Sequence, residues 1–419
     1  MKNGLVRSLR GARAMLVSIA SPFVLLLKWK RQAARGSAVP RELEDRATVL
    51  GMPEVRTWED AFNPAFLAEV VRSTRQELVV RRQSGQTGPL PRAYYLAISG
   101  GGADGAYGAG LLCGWTASGR RPEFKFVTGI STGALTAPFA YLGSKYDERL
   151  RGVYTVVKSA EIAISRGAFA AVLSDALMDT TPLVNLMDKL IDEGMMRDIA
   201  AEYDRGRQLV VATTNLDADR GVLWNIGAIA ASGKPGALKL IHQILLASAA
   251  IPGAFPPVLI DVEADGERHQ EMHVDGGARA QMFLYPPSFR LQSEAAAVGM
   301  SRERTGYLIR NSRLDPKWSD IQCRMLSIAM RAIGSMIQTQ GIGDLYRIYL
   351  TAERDGVDFN LAYIPSTFRE TPKEDFDPEY MTKLFNVGYE LAKAGYPWEK
   401  RPPGFVLERI APVLQPATA

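Results

Sequence analysis

The sequence predicts an α/β fold with parallel strands at the centre of its sheet. Short apolar segments alternate with helical segments along most of the chain, and glycine clusters directly follow two of the predicted strands. Hydrophobic residues make up 47% and charged residues 23% of the 419 residues, as in ordinary packed proteins. This composition excludes collagen-like and wholly disordered chains, and the two cysteines are too few for a disulfide framework.

Positive charge is concentrated at the N-terminus. Residues 1–40 hold eight basic residues and no acidic one, so the formal charge of +5 divides into +8 there and −3 on the remainder. This distribution argues against a nucleic-acid partner. The uncharged run 14–27 lies in the same segment, and as a helix it is shorter than the hydrocarbon core of about 30 Å.

Three membrane-related interpretations of this segment are open: a secretory signal, a short anchor and an interfacial helix. A terminal helix packed on the protein body is the alternative. We expect membrane association through residues 1–40, at an anionic membrane surface, with the side of the membrane and secretion left open.

The remaining chain divides by its pattern into three further parts. Residues 41–92 read as a helical extension (47–82) and a linker loop (83–91), residues 93–395 as the main domain, and residues 396–419 as a C-terminal tail. Within the main domain, strands are predicted at residues 93–99, 124–128, 208–214, 222–226, 258–262, 273–274, 306–310 and 359–363. Helices are predicted at residues 103–118, 132–143, 182–194, 238–250, 318–336 and 378–394.

A glycine-rich loop follows the first predicted strand of the main domain. Gly100, Gly102 and Gly105 match the dinucleotide-binding spacing, and Glu123 lies about where that motif places an acid for the ribose. Glycines before a helix let backbone N–H groups point at an anion, which can be a pyrophosphate or a developing oxyanion. The pattern alone leaves both alternatives open, although a dinucleotide site has no need for the serine motif that follows.

That serine motif lies between the second predicted strand and a helix of small residues. Gly129, Ser131 and Gly133 form the G-x-S-x-G pattern in a strand–turn–helix context, which lifts a serine Oγ to the helix N-terminus. A nucleophilic serine needs a base. Asp275 ends a predicted strand before a glycine pair, and a sharp turn there exposes its carboxylate at the sheet edge.

The three histidines are weaker candidates for the base. His242 lies in an apolar helix, which favours a structural role, and His269 lies in a charged segment, which favours the solvated surface. His273 is two residues from Asp275 and therefore on the same face of a strand, which favours a supporting position near the site.

Together these blocks resemble the patatin-like phospholipase family over about residues 93–285. The blocks are the loop 100–105, the serine turn 129–133, the Asp-Gly-Gly at 275–277 and, before it, the run 247–258. The resemblance implies a three-layer α/β/α sandwich and a serine acyl hydrolase with a Ser–Asp dyad that needs no metal or other cofactor. It also implies a lipid acyl ester, such as a phospholipid or lysophospholipid, as the substrate.

The resemblance also assigns roles to particular residues. It implies Ser131 as the nucleophile, Asp275 as the base, and an oxyanion hole of backbone N–H groups at Gly100, Gly101, Gly102 and Thr132. Glycines that support the motifs are Gly105, Gly129, Gly133, Gly276 and Gly277. Asp104 departs from the family pattern, which usually has a basic residue there, and a carboxylate close to an oxyanion would repel it.

Asp104 keeps a second class of function open. The leading hypothesis is a membrane-associated lipid acyl hydrolase, and a narrower variant is an esterase or thioesterase acting on short acyl substrates. The alternative from another class is a catalytically weak or silent lipid-binding protein. An NAD(P)-dependent oxidoreductase rests on the glycine spacing alone.

Overall fold

The computed structural model describes residues 35–405 except 158, 163, 166–175, 177, 298 and 317. The apolar run 14–27, most of the basic N-terminal segment and residues 406–419 therefore lie outside the described residues. None of the helices formed by the described residues combines the length and the apolarity that crossing a bilayer requires.

Strands and helices alternate along the described chain. The strands are β1 (Arg56–Trp58), β2 (Ala93–Ile98), β3 (Phe126–Gly129), β4 (Ile164–Ser165), β5 (Met178–Asp179), β6 (Gln208–Asn215), β7 (Arg220–Asn225), β8 (Val258–Ala264), β9 (Glu267–Asp275), β10 (Arg304–Arg310) and β11 (Val357–Tyr363). The helices are α1 (Pro64–Gln83), α2 (Gly105–Ala117), α3 (Thr132–Leu142), α4 (Asp147–Thr155), α5 (Thr181–Leu190), α6 (Glu193–Asp204), α7 (Ile226–Ala231), α8 (Ala237–Ser248), α9 (Leu291–Ala297), α10 (Met325–Asp355) and α11 (Pro378–Gly395).

Nine of the described strands form one mixed sheet. Its order is β1-β7-β6-β3-β2-β10-β11, and β9 joins β6 and carries β8. The five strands β6, β3, β2, β10 and β11 run parallel, whereas β1, β7, β8 and β9 pair antiparallel. The prediction of a mainly parallel sheet is confirmed.

Both faces of this sheet are covered by helices. Along β2, Leu96 and Ile98 face a core packed by α2, α3, α8 and α11, whereas Tyr95 and Ala97 face a second core packed by α1 and α10. A strand that is buried on both faces has a continuous run of apolar residues, and this run allows β2 to be predicted from the sequence. The architecture is the expected three-layer α/β/α sandwich.

Three sequence predictions of local structure are wrong. Residues 47–63 are not helical: β1 pairs with β7 and forms an edge of the sheet, and the helix begins only at Pro64. The helix predicted over 182–194 is two helices, because the Asp192 side chain accepts a hydrogen bond from the N–H of Met195 and starts α6. The helix predicted over 318–336 begins at Met325 and continues to Asp355.

The parallel strands place the sequence motifs together. The glycine-rich loop follows β2, the serine turn follows β3, and both strands end at the same edge of the sheet because they run in the same direction. Asp275 ends β9, opposite Thr213 of the neighbouring strand β6. The carboxyl edge of the parallel sheet therefore brings loops that are far apart in sequence to one place.

Candidate active site

The serine turn is a strained connection between β3 and α3. Ser131 has φ 56° and ψ −128°, a backbone conformation that L residues rarely adopt. A Cβ atom at Gly129 would lie 2.4 Å from the carbonyl oxygen of Gly133, and one at Gly133 would lie 2.3 Å from that of Ile98. Only glycine fits these two positions, so the turn stays tight against β2 and presents Ser131 at the helix N-terminus.

A buried serine from another helix holds this turn. Ser248, at the end of α8, accepts a hydrogen bond from the Ser131 N–H at 3.0 Å and donates one to the Ala212 carbonyl at 2.7 Å. Ser248 is fully buried. The sequence had marked the surrounding run 247–258 as a motif but had not distinguished Ser248, whose partners are 117 and 36 residues away.

Asp275 is positioned by the backbone on both sides. Its N–H donates to the Ala250 carbonyl at 2.9 Å, and its carboxylate accepts a hydrogen bond from the Gly277 N–H at 2.7 Å. The same carboxylate forms a side-chain hydrogen bond with Ser131. The structure thus brings together the two residues that the sequence singled out 144 positions apart.

Burial gives Asp275 the proton affinity of a base that works near neutrality. Desolvation raises the pKa of its carboxyl group from 3.8 to about 7, and the hydrogen bonds from Ser131 and from the Gly277 N–H oppose that rise. Ser131 is 7% and Asp275 4% exposed, so the pair is largely screened from water. A general base is most effective when its pKa lies close to the working pH.

One expected donor of the oxyanion hole already has a partner within the protein. The Gly100 N–H donates to the Gln281 carbonyl at 3.2 Å, and its role as an oxyanion donor stays a prediction. Within the described residues, no hydrogen bond uses the N–H groups of Gly101, Gly102 or Thr132. These three remain the candidate donors, since Gly101 and Gly102 flank the serine turn and Thr132 begins α3.

Asn311, which follows β10, fixes the glycine-rich loop. Its N–H donates to Ser99 Oγ at 2.8 Å and its side-chain Nδ2 to the Ser99 carbonyl at 2.9 Å, while its Oδ1 accepts from the Gly108 N–H at 3.0 Å. A Cβ atom at Gly101 would lie 2.4 Å from the Asn311 carbonyl oxygen. Asn311 was missed by sequence reasoning, because only strand pairing brings it to this loop.

The other supporting glycines lie at close contacts around the same edge. Gly105 begins α2 against Thr132, and a Cβ atom there would meet Thr132 Oγ1 at 2.3 Å. Gly276 packs against the Ala212 carbonyl, and Gly277 supplies the N–H that Asp275 accepts.

Asp104 has a defined partner on another helix. Its Oδ1 accepts a hydrogen bond of 2.6 Å from the Tyr380 hydroxyl of α11, and this carboxylate helps to raise the pKa of Tyr380, together with burial. The side chain is therefore bound by α11, which packs on α2.

His273 belongs to a buried polar cluster two residues from Asp275. Its Nδ1 is 2.9 Å from Thr213 Oγ1 and its Nε2 is 3.1 Å from Glu271 Oε2, and Glu271 is in turn paired with Arg56. Burial lowers the pKa of His273. Burial also opposes ionisation of Glu271, but His273 and Arg56 outweigh it and lower the pKa of Glu271 to about 2. Both ring nitrogens are thus occupied, and His273 supports strand β9.

The remaining histidines are structural. His242 Nε2 lies 2.7 Å from the Ile191 carbonyl and Nδ1 lies 2.9 Å from Asp188. The prediction that His269 lies on the solvated surface is wrong: it is 6% exposed within β9, with Nδ1 3.2 Å from Ser37 Oγ. The two charged residues just before it, Glu267 and Arg268, are exposed, and they hid its buried position in the sequence.

The dinucleotide alternative does not fit the sheet. Glu123 precedes β3 at the amino edge and pairs with Arg205 at 3.6 Å on the surface, whereas the glycine-rich loop lies at the carboxyl edge. Among the described residues, no group of three or more His, Cys, Asp or Glu side chains could hold a metal ion.

One comparison with known proteins, the match to a family model, agrees with the resemblance drawn from the motifs. Residues 96–286 match the family model described as patatin-like phospholipase. The chain is also similar to the solved structure of VipD from Legionella pneumophila, with 13% identity, a TM-score of 0.37, and coverage of 74% of this chain and 68% of that one. A comparison with curated proteins gives no match.

Proposed function

We propose that this chain, whose residues 96–286 match the patatin-like phospholipase family, hydrolyses lipid acyl esters through an acyl-Ser131 intermediate. The observation that carries the proposal is the hydrogen bond between Ser131 and a buried Asp275 whose carboxyl pKa is about 7. A strained serine at a helix N-terminus, with a carboxylate of matched basicity beside it, is arranged for acyl transfer.

In each half of the reaction, one proton moves between three oxygen-bearing groups, and Asp275 is the intermediate carrier in both halves. The Asp275 carboxylate takes the Ser131 proton as Oγ attacks the acyl carbonyl carbon. Asp275 then gives that proton to the departing alcohol, and the acyl group stays on Ser131. A water molecule gives a proton to Asp275 and attacks the acyl carbon, after which the fatty acid leaves and Ser131 recovers its proton.

Backbone donors stabilise the negative charge that develops on the carbonyl oxygen. The N–H groups of Gly101, Gly102 and Thr132 are the candidates, and preorganised donors of this kind typically contribute about 3 kcal/mol each to the transition state. Asp104 does not cancel this contribution in our proposal, because its carboxylate is bound to Tyr380.

The proposed substrate class is a phospholipid or lysophospholipid at a membrane surface. The family match supports a lipid substrate, and the +8 charge of residues 1–40 supports attraction to anionic lipid. Two narrower alternatives remain as outcomes of the test below: an esterase or thioesterase on short acyl substrates, and a silent lipid-binding protein.

Lipid extraction after incubation with mixed phospholipid vesicles tests this function. We expect the wild type to release free fatty acid, and Ser131→Ala and Asp275→Ala to lose at least about a thousandfold in kcat with the fold intact by circular dichroism. A fluorophosphonate probe is expected to label only proteins that retain Ser131. Equal turnover by wild type and Ser131→Ala contradicts the dyad, and absence of both turnover and label favours the silent binder.

A truncated chain that starts at residue 35 tests the membrane part. The cut falls there because Arg35 and Ser37 already contact β9 and its neighbours. Turnover of a soluble ester is expected to stay unchanged while binding to anionic vesicles weakens. If vesicle binding is unchanged, residues 1–34 do not contribute to membrane association.

A further inference from the structure

Among the described helices, the first half of α10 carries the largest group of exposed large apolar side chains. Met325 is 88%, Ile328 50% and Met336 71% exposed, whereas Leu345 and Ala352 in the second half are buried. We call residues 325–336 the projecting half-helix. Twelve residues of helix extend about 18 Å. Trp318, just before it, is 86% exposed.

The projecting half-helix has an apolar side and a basic side. At about 3.6 residues per turn, Met325, Ile328 and Met336 fall within roughly a quarter of the helix circumference, and Arg324 lies outside that arc. From residue 321 to residue 343 the sequence has two basic residues and no acidic one. An apolar face beside a purely basic one is typical of helices that lie in the surface of an anionic bilayer.

This half-helix lies at the edge of the sheet that carries the dyad. The next turns of α10 touch the site: Gln340 donates to the Arg279 carbonyl, and Gly341 packs on Gln281. The carbonyl of Gln281 accepts the Gly100 N–H, and its side chain lies against the glycine-rich loop and Gly277. The C-terminal end of the projecting half-helix therefore leads directly into the turns that contact the glycine-rich loop.

The basic N-terminal segment leaves the body at this same edge. Arg35 is paired with Asp217, which lies just beyond the carboxyl end of β6, and it donates to the Gln270 carbonyl of β9. Residues 1–34, with seven basic residues and no acidic one, are joined to the body at that point. The point where the cationic run 1–34 joins the described chain therefore lies at this edge.

We propose that the projecting half-helix and Trp318 enter the interfacial layer of an anionic lipid bilayer and turn the carboxyl edge of the sheet towards it. This inference rests on the proposed lipid substrate and adds the surface by which the site reaches it. Apolar side chains leave water, Arg324 meets lipid phosphates, and Trp318 takes the interfacial position that tryptophan favours.

The positive charge of the projecting half-helix favours an anionic bilayer over the other candidates that could cover this surface. The segment 1–34 and a second copy of the half-helix are both cationic, so each would bring like charge to Arg324. An anionic bilayer brings the opposite charge together with an apolar layer.

Cys323 provides a native reporter for this surface. It is exposed next to the half-helix, whereas the other cysteine, Cys113, is buried and burial raises the pKa of its thiol to about 12. An environment-sensitive maleimide dye therefore attaches selectively to Cys323. In full-length Ser131→Ala protein, which leaves the vesicles intact, we expect its emission to increase and shift to the blue with phosphatidylglycerol-containing vesicles, and much less with phosphatidylcholine alone.

Two matched triple variants separate this surface from general apolarity. Met325→Gln, Ile328→Gln and Met336→Gln are combined in one variant, and the exposed Val79→Gln, Val156→Gln and Leu350→Gln in the control. The first is expected to raise the vesicle Kd by on the order of tenfold or more, and the control to leave it unchanged. Both are expected to keep wild-type turnover of a soluble ester when Ser131 is present.

Three outcomes overturn the inference. Equal vesicle Kd values for the two triple variants do so directly. A Cys323 dye that is already shielded without lipid, in a protein that elutes as a dimer, assigns the surface to a second copy. A dye shielded without lipid in a monomer, and exposed after residues 1–34 are removed, assigns it to that segment.

Failure of the proposed function is a separate result. Vesicle binding is measured in Ser131→Ala protein, so it does not depend on turnover. Dye insertion without any hydrolysis by the wild type rejects the hydrolase and keeps the lipid surface. Hydrolysis of the soluble ester with no dye response keeps the hydrolase and rejects the lipid surface.

Discussion

Ser131 and Asp275 share one hydrogen bond, but placing each residue there costs free energy for a different reason. On the serine side the cost is local: a backbone with φ 56°, closed by glycines that allow no Cβ atom. On the aspartate side the backbone is ordinary, at φ −48° and ψ 131°, and the cost is the desolvation of a carboxylate.

The two residues therefore differ in whether their local sequence or the tertiary structure sets this cost. Strain at Ser131 is written in five contiguous residues, because the turn is made by Gly129 and Gly133 themselves. The basicity of Asp275 depends on burial, which the surrounding helices and strands supply. Four predictions test whether these two costs are separate, in order of expected size.

The largest effect is expected from removing the buried charge. Asp275→Asn keeps an oxygen for the Gly277 N–H but carries no charge. The folded-state pKa is raised, so the native protein binds the extra proton and the wild type loses stability as pH rises from about 4 to about 7. At pH 8 the variant is expected to gain a few kcal/mol in free energy of unfolding, measured by urea titration.

At pH 4 the advantage of Asp275→Asn should largely disappear, because the folded wild type is then protonated at this position and the unfolded chain, with the ordinary pKa of 3.8, is close to half protonated. A gain of the same size at both pH values contradicts desolvation as its cause.

Activity should follow the protonation of the same carboxyl group. With a pKa of about 7, kcat/KM for a soluble ester is expected to fall about tenfold per pH unit below neutrality, because protonated Asp275 cannot accept the Ser131 proton. Initial rates between pH 5 and pH 8 measure this limb. A profile that is flat down to pH 5 assigns the base to another group.

The strain at the serine should appear as stability without any pH dependence. Ser131→Gly relaxes a residue with positive φ, whereas Ser131→Ala leaves the backbone conformation unchanged. Both variants are expected to be inactive, with the glycine variant more stable than the alanine variant by about 1 kcal/mol at pH 5 and at pH 8. If the difference in free energy of unfolding between the two variants changes with pH, the strain at Ser131 and the desolvation of Asp275 are not independent.

The smallest effect is expected at Asp104. Because Tyr380 binds this carboxylate, Asp104→Asn should change kcat/KM for a soluble ester by less than about threefold. Tyr380→Phe is the matched variant: it removes the hydroxyl hydrogen bond to the carboxylate, and its kcat/KM is expected to change by no more than that of Asp104→Asn. A gain of tenfold or more in Asp104→Asn instead identifies Asp104 as inhibitory.

Much of the fold could be read from the sequence because it is written in short local patterns. The buried strand β2 is a continuous apolar run, and the glycine-rich loop and serine turn follow their strands directly. Residues 47–63 could not be read, because β1 exists only through its pairing with β7. His269 was misplaced for a related reason, since its charged neighbours say nothing about the strand that buries it.

The sequence by itself determined the order of the motifs, the candidates for a nucleophile and its acidic partner, and the split between a cationic N-terminus and a near-neutral body. Tertiary structure alone decided that Ser131 and Asp275 touch, that Ser248 and Asn311 hold the two loops, and that the Gly100 N–H is used elsewhere. The physical reason is the distance along the sequence between the residues that interact. Turn geometry is set by neighbours along the chain, whereas burial, proton affinity and hydrogen-bond partners are set by residues that only folding brings together.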